Sequence, residues 1–129
     1  MPLLIRVSKI FSGVIDNIIT VAFSADEFGE CEYIIFQEQE TFDSQDLDLG
    51  MDKVHVELCE QINSQYGGIV EFRADKKSLH VFFEAQTQLF KCVGDSGVKL
   101  HIDTQSSESK TALSILKRIA IRNKIPNNL

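Results

Sequence analysis

Asp43, Asp46, Asp48 and Asp52 stand within ten residues of one another, close enough in the chain to hold a cation. Counted from Asp46, Asp48 takes the third position of an EF-hand loop and Glu57 the twelfth. The fifth position is Gly50, the sixth is Met51 where the sharp turn needs glycine, and an alternating stretch follows where a helix should. An acidic connection is the better reading. His55, His80 and His101 each fall on the polar register of an alternating stretch; on one sheet face, with Cys59 or Asp103 beside them, they would suit zinc. Their spacing carries no metal motif, and surface or partly buried histidines are the simpler account. Cys31, Cys59 and Cys92 are odd in number and form no CxxC pair, so free, mostly buried thiols in a reducing compartment are expected. No serine sits in a GxSxG elbow. Carboxylate pairs such as Glu38 with Glu40 could do acid–base work, but in so acidic a stretch chance supplies them. Tyr66-Gly67-Gly68 lacks the lysine and the following helix of a phosphate loop. The sequence assigns no catalytic residue, no metal and no cofactor.

These residues need a scaffold, and 129 residues supply one domain spanning 1–129 with a single core. Hydrophobic residues at 43% and charged residues at 25% are those of a globular chain. No apolar run approaches the roughly 18 residues of a membrane span. The start, MPLLIRVSKIF, has neither a basic head nor a small-residue cleavage site, so no signal peptide is read and a cytoplasmic location is expected. The net charge is −6, unevenly spread. From Asp26 to Glu60 twelve acids face one base, Lys53, a balance of −11; Lys110 to Lys124 carries five bases and no acid. The sign disfavours nucleic acid. A dense acidic face suits a basic protein partner, whose opposite potential speeds encounter and fixes orientation. A solubilising surface is the plainer alternative.

Arg6 to Ser24 reads as a hairpin or two short strands, with turn chemistry at Gly13 and Asp16-Asn17. Tyr33 to Gln37 is a nearly continuous apolar run, the pattern of a strand covered on both faces. Gln39 to Asp52 lacks a period and reads as a long loop, with room for a helical turn at Ser44 to Leu49. Val54, Val56 and Leu58 alternate with polar residues as in a half-buried strand. Asn63 to Gly68 reads as a loop with a glycine corner. A hairpin follows, Ile69 to Arg73 and Leu79 to Phe83, then a strand end or short helix anchored by Leu89 and Phe90. Val98, Leu100 and Ile102 alternate after Gly97. Ser107 to about Arg122 is helical: Ser106 or Ser107 caps it, Glu108 suits its first turn, its apolar positions recur at helical spacing, and Pro126 excludes continuation. The expected fold is α+β: an antiparallel sheet of about six strands with the C-terminal amphipathic helix packed on one face.

The stretch from Tyr33 to Ile69 resembles the immunity protein 10 family of bacterial polymorphic toxin systems. The resemblance rests on an apolar strand ending in Gln37, then Phe42-Asp43-x-Gln45-Asp46, Leu49-Gly50-Met51-Asp52, and Gln65-Tyr66-Gly67-Gly68-Ile69. Gln39 stands where the family often has a base, Ser44 where it has an acid, and Lys53-Val54 where it often has an aromatic. The resemblance implies a non-enzymatic antitoxin that binds a cognate toxin domain in the cytoplasm and blocks it, without a nucleic-acid or membrane partner. Many such toxins act on nucleic acid, so an acidic surface could stand in for phosphates. Glu38, Glu40, Asp43, Asp46, Asp48 and Asp52, with Tyr66 as an aromatic anchor, are the expected partner-binding residues. Bracing of the long loop by Gln45, Asp46, Asp52 and Tyr66 is the structural alternative. A small regulatory or scaffold domain using the same acidic face for a basic protein is the alternative function.

Overall fold

The computed structural model describes residues 2–25, 32–41 and 53–129. Among them nine strands form two sheets. Strands β2 (Lys9–Ile15), β3 (Ile18–Ser24), β4 (Tyr33–Gln39), β5 (His55–Leu58) and β6 (Glu60–Tyr66) make a five-stranded antiparallel meander in chain order. Strands β1 (Leu3–Arg6), β7 (Ile69–Ala74), β8 (Ser78–Phe83) and β9 (Val98–His101) make a four-stranded sheet in the order β1-β9-β8-β7, with β1 parallel to β9. Helix α1 (Gln88–Val93) and helix α2 (Ser107–Arg122) complete the α+β fold. The expected single sheet is thus two. The chain crosses between them after Arg6 and again at Gly67-Gly68.

Local chemistry explains the turns. Asp16 and Asn17 both take positive φ (52° and 67°), the requirement of the tight hairpin turn whose twist matches the flanking strands. The second crossing is a corner built around Gln65. Its amide donates to the Gly67 carbonyl (2.8 Å) and accepts from the Leu89 N–H at the start of α1 (2.8 Å). Gly68, at φ 79°, lies against that amide and the Thr87 methyl, so a side chain there would be both strained and obstructed. The glycine corner is therefore as expected, but Asn63 to Tyr66 is strand, paired to β5, and not loop. A loop reading followed from polar residues that the β5 partner, invisible in the local pattern, brings into the ladder.

Inner faces alternate as pleating demands: Ile19, Val21 and Phe23 on β3, Ile34 and Phe36 on β4, Val56 and Leu58 on β5 are all buried. Phe36 meets Phe72 of β7 edge-on, ring centroids 5.5 Å apart, which joins the two sheets across one core. Helix α2 covers the inner side of β2 and β3 with Ala112, Leu116, Ile119 and Ala120 buried. Ser106 caps it, its hydroxyl accepting from the Ser109 N–H at 3.2 Å. Burying Leu116 and Ile119 stabilises by roughly 1.5–3 kcal/mol each, so the helix is structural first. Strand β4 is not covered on both sides: Tyr33, Ile35 and Gln37 are only half-buried.

Candidate functional site

Three of the expected partner-binding residues lie among the described ones, and they are not together. Asp43, Asp46, Asp48 and Asp52 lie outside the described residues, as do Gln45 and the helical turn expected at 44–49. Glu38 departs from an exposed acidic face. Pleating turns it inward beside Ile19, and it is 4% exposed. A carboxylate there needs partners, and the end of α2 supplies them. Asn123 Nδ2 donates to Glu38 Oε1 at 2.8 Å, and Arg122 Nε lies 3.4 Å from Oε2. Arg122 also donates to the Gln39 and Glu40 carbonyls (3.1 and 3.0 Å), while Asn123 Oδ1 accepts from the Val54 N–H at 2.9 Å. Glu40 is exposed and pairs with Arg118 at 2.6 Å. Arg118 and Arg122, near the end of α2, thus tie the helix to the end of β4.

This network pins both roots of the acidic segment 42–52. On one side Asn17 accepts from the Thr41 N–H (3.2 Å) and its backbone carbonyl from the Glu40 N–H (2.8 Å). On the other, Asn123 holds Val54.

Tyr66 lies on the opposite side of the sheet. Strand register sets out that outer face row by row, since directly paired residues point the same way. Gly13, Thr20, Gln37, His55 and Tyr66 form one row across all five strands. Phe11, Ala22, Ile35, Glu57 and Ser64 form the next. Ile15, Ile18 and Gln39 lie beyond the first row; Lys9, Ser24 and Tyr33 lie beyond the second. Tyr66, 46% exposed, packs against His55 with ring centroids 4.9 Å apart and the rings tilted by 56°. The two rings line a shallow cavity of about 260 Å³ with Ile18, Gln37, Gln39 and Lys53. Phe11, Ile15 and Ile18 are 49%, 59% and 40% exposed. At the far end Tyr33 donates to Glu57 at 2.6 Å. Burial, that hydrogen bond and the nearby carboxylates push the Tyr33 phenol up to about 12.

The histidine set does not assemble: His55 belongs to the five-stranded sheet, whereas His80 and His101 belong to the four-stranded one. No group of three or more candidate metal-ligating residues occurs among the described residues. Cys59 is half-buried, and burial pushes its thiol up; Cys92 is exposed, against the expectation of burial. Among the described residues, no helix is long and apolar enough to cross a membrane.

The model of the family described as immunity protein 10 matches residues 7–110. The chain belongs to the immunity protein 10 family. The match contains the whole stretch from Tyr33 to Ile69 that carries the resemblance and the whole five-stranded sheet, and it ends in the first turn of α2. An immunity protein binds a protein toxin, and members of the family are generally not enzymes. No curated protein and no solved structure matches the chain. Sequence reasoning overlooked the outer sheet face, although Phe11, Ile15 and Ile18 are visible as alternating apolar residues around a tight turn. Their alternation reads as two equivalent faces until α2 is seen to cover only one.

Proposed function

We propose that this protein is the antitoxin of a polymorphic toxin system, a non-catalytic inhibitor that binds its cognate toxin domain in the cytoplasm and blocks it. The family match over residues 7–110 carries this reading. Charge distribution supports a toxin with a basic surface, such as a nuclease: the −11 balance from Asp26 to Glu60 is concentrated in and around the connections flanking β4. Glu40, Asp43, Asp46, Asp48 and Asp52 are the acids proposed to face that surface, taking the places of phosphates. Glu38 acts instead from within, by holding the roots of the acidic segment.

Co-expression with the toxin encoded beside this gene tests the reading. Survival of the host, followed by co-purification of a stable complex, is the expected result. A folded protein that neither rescues nor binds an active toxin would point to the regulatory or scaffold role. Reversing Asp43 and Asp48 to lysine should weaken the complex roughly tenfold or more without lowering the melting temperature. Unchanged affinity would remove the acidic segment from the interface.

A further inference from the structure

Among the described residues no element covers the outer face of the five-stranded sheet, and its margins are apolar. Phe11, Ile15, Ile18 and Tyr66 are each at least 40% exposed and share this one face. Exposed apolar side chains scattered singly are ordinary; gathered on one sheet face they mark an interaction surface. Gly13 adds an independent reason. It sits mid-strand in β2, opposite Thr20, where the register with β3 runs without a bulge. Its φ is not positive, and a Cβ there would meet no described heavy atom within 4 Å. Neither backbone conformation nor internal packing calls for glycine, and glycine in a strand costs roughly 0.5–1 kcal/mol against alanine. Close approach by another chain is a use that such a glycine serves.

Charge indicates what approaches. At one end of the face Glu57 is held by Tyr33, and Glu32 and Glu60 lie close enough to act electrostatically on Cys59. Lys9 lies at the edge of that end, and Lys53 lines the cavity beside Ile18 and Tyr66 toward the other. A partner with an apolar centre and basic side chains toward the Glu57 end fits this face.

We infer that the toxin seats on this open face, its apolar contact surface lying over Gly13 and against Tyr66 and Ile18, with basic residues toward Glu57. The inference rests on the antitoxin reading and adds the surface. The acidic connections steer the encounter, and the sheet face supplies the contact area that slows dissociation.

The test is calorimetric titration of the wild-type protein and three variants with a catalytically inactivated form of the neighbouring toxin domain. Thermal melts and light scattering accompany each variant. Gly13→Val should raise the melting temperature, because valine suits a strand, and yet weaken toxin binding at least tenfold. Tyr66→Ala should weaken binding at least tenfold while the protein stays folded. Lys99→Ala, on the outer face of the other sheet, should change affinity less than threefold. If wild type binds and both Gly13→Val and Tyr66→Ala bind as tightly, the assigned face is wrong while the antitoxin reading stands. A wild-type protein that does not bind an otherwise active toxin removes that reading and the inference with it. A wild-type dimer that Tyr66→Ala converts to monomer would assign the face to a second copy and overturn the proposal.

Discussion

Among the described residues each sheet has one face that no helix covers, and the two faces are chemically unlike. On the four-stranded sheet the outer row is Arg73, His80, Lys99 and Leu4, with Arg6, His101 and Ser78 alongside. Phe82, the large aromatic there, has the Arg73 guanidinium 5.5 Å from its centroid, and Arg73 pairs in turn with Glu71 at 2.8 Å. That is a mostly polar face, its aromatic shielded by a long polar side chain, with Leu4 (38% exposed) its exposed apolar residue in that row. On the five-stranded sheet Phe11, Ile15, Ile18 and Tyr66 stand exposed around a strip of Gly13, Thr20 and Ala22. Being uncovered does not by itself make a sheet face apolar. The difference teaches that an uncovered face can be either polar, as water demands, or apolar, as a docking surface would be.

The contrast is broken most severely from inside. Phe36→Ala, which removes the ring that meets Phe72, should cost about 3–5 kcal/mol in denaturant unfolding. Phe11→Ala, an equal truncation on the outer face, should cost under about 1 kcal/mol because water already reaches that ring. Equal losses would mean that the outer face is part of the core. Next in size is Glu38→Ala. With Arg122 and Asn123 left facing an apolar side chain, roughly 2–3 kcal/mol of stability should be lost, and hydrogen exchange should quicken at Val54, whose N–H Asn123 holds. Stability equal to wild type would show that the carboxylate contributes nothing to docking α2.

The smallest effects are in pH, and they separate the faces by sign. Tyr33, raised from 10 to about 12, keeps its proton in the folded state after the unfolded chain has begun to lose it. Its contribution is therefore full below pH 10 and fades as pH rises toward 12. Spectrophotometric titration should find one tyrosine ionising near pH 12, moving down in Glu57→Gln. His80 on the other face is lowered from 6.5, by burial first and then by Lys99. The unfolded chain takes up that proton first, so stability is full above pH 6.5 and declines slightly as pH falls through the lower, folded value. An NMR titration placing His80 above 6.5 would contradict the cause given.

Much of the framework was legible locally. Ser106, Glu108, the apolar spacing through Ala120 and the limit at Pro126 define α2 because capping and helical periodicity act within a few residues. The hairpins at Asp16-Asn17 and Ala74 to Lys77 were readable for the same reason. The candidate site was less so. Tyr66 was named from its motif, but its ring contact with His55 depends on the β5–β6 register. Glu38 was grouped with Glu40 by charge, yet Glu38 is buried within β4 while Glu40 stands exposed just past its end.

By itself the sequence determined the α+β class, the helix with its caps, most of the strands, the acidic concentration around β4 and the family, all properties of residues near one another in the chain. Only the tertiary structure decided that the strands divide into two sheets, that β1 joins β9 in parallel, that Glu38 is an internal anchor and that one apolar sheet face stays open. Those outcomes depend on which distant segments pair and on which side a helix lands. Alternation along a strand marks its two faces as different but cannot say which one the rest of the chain will cover.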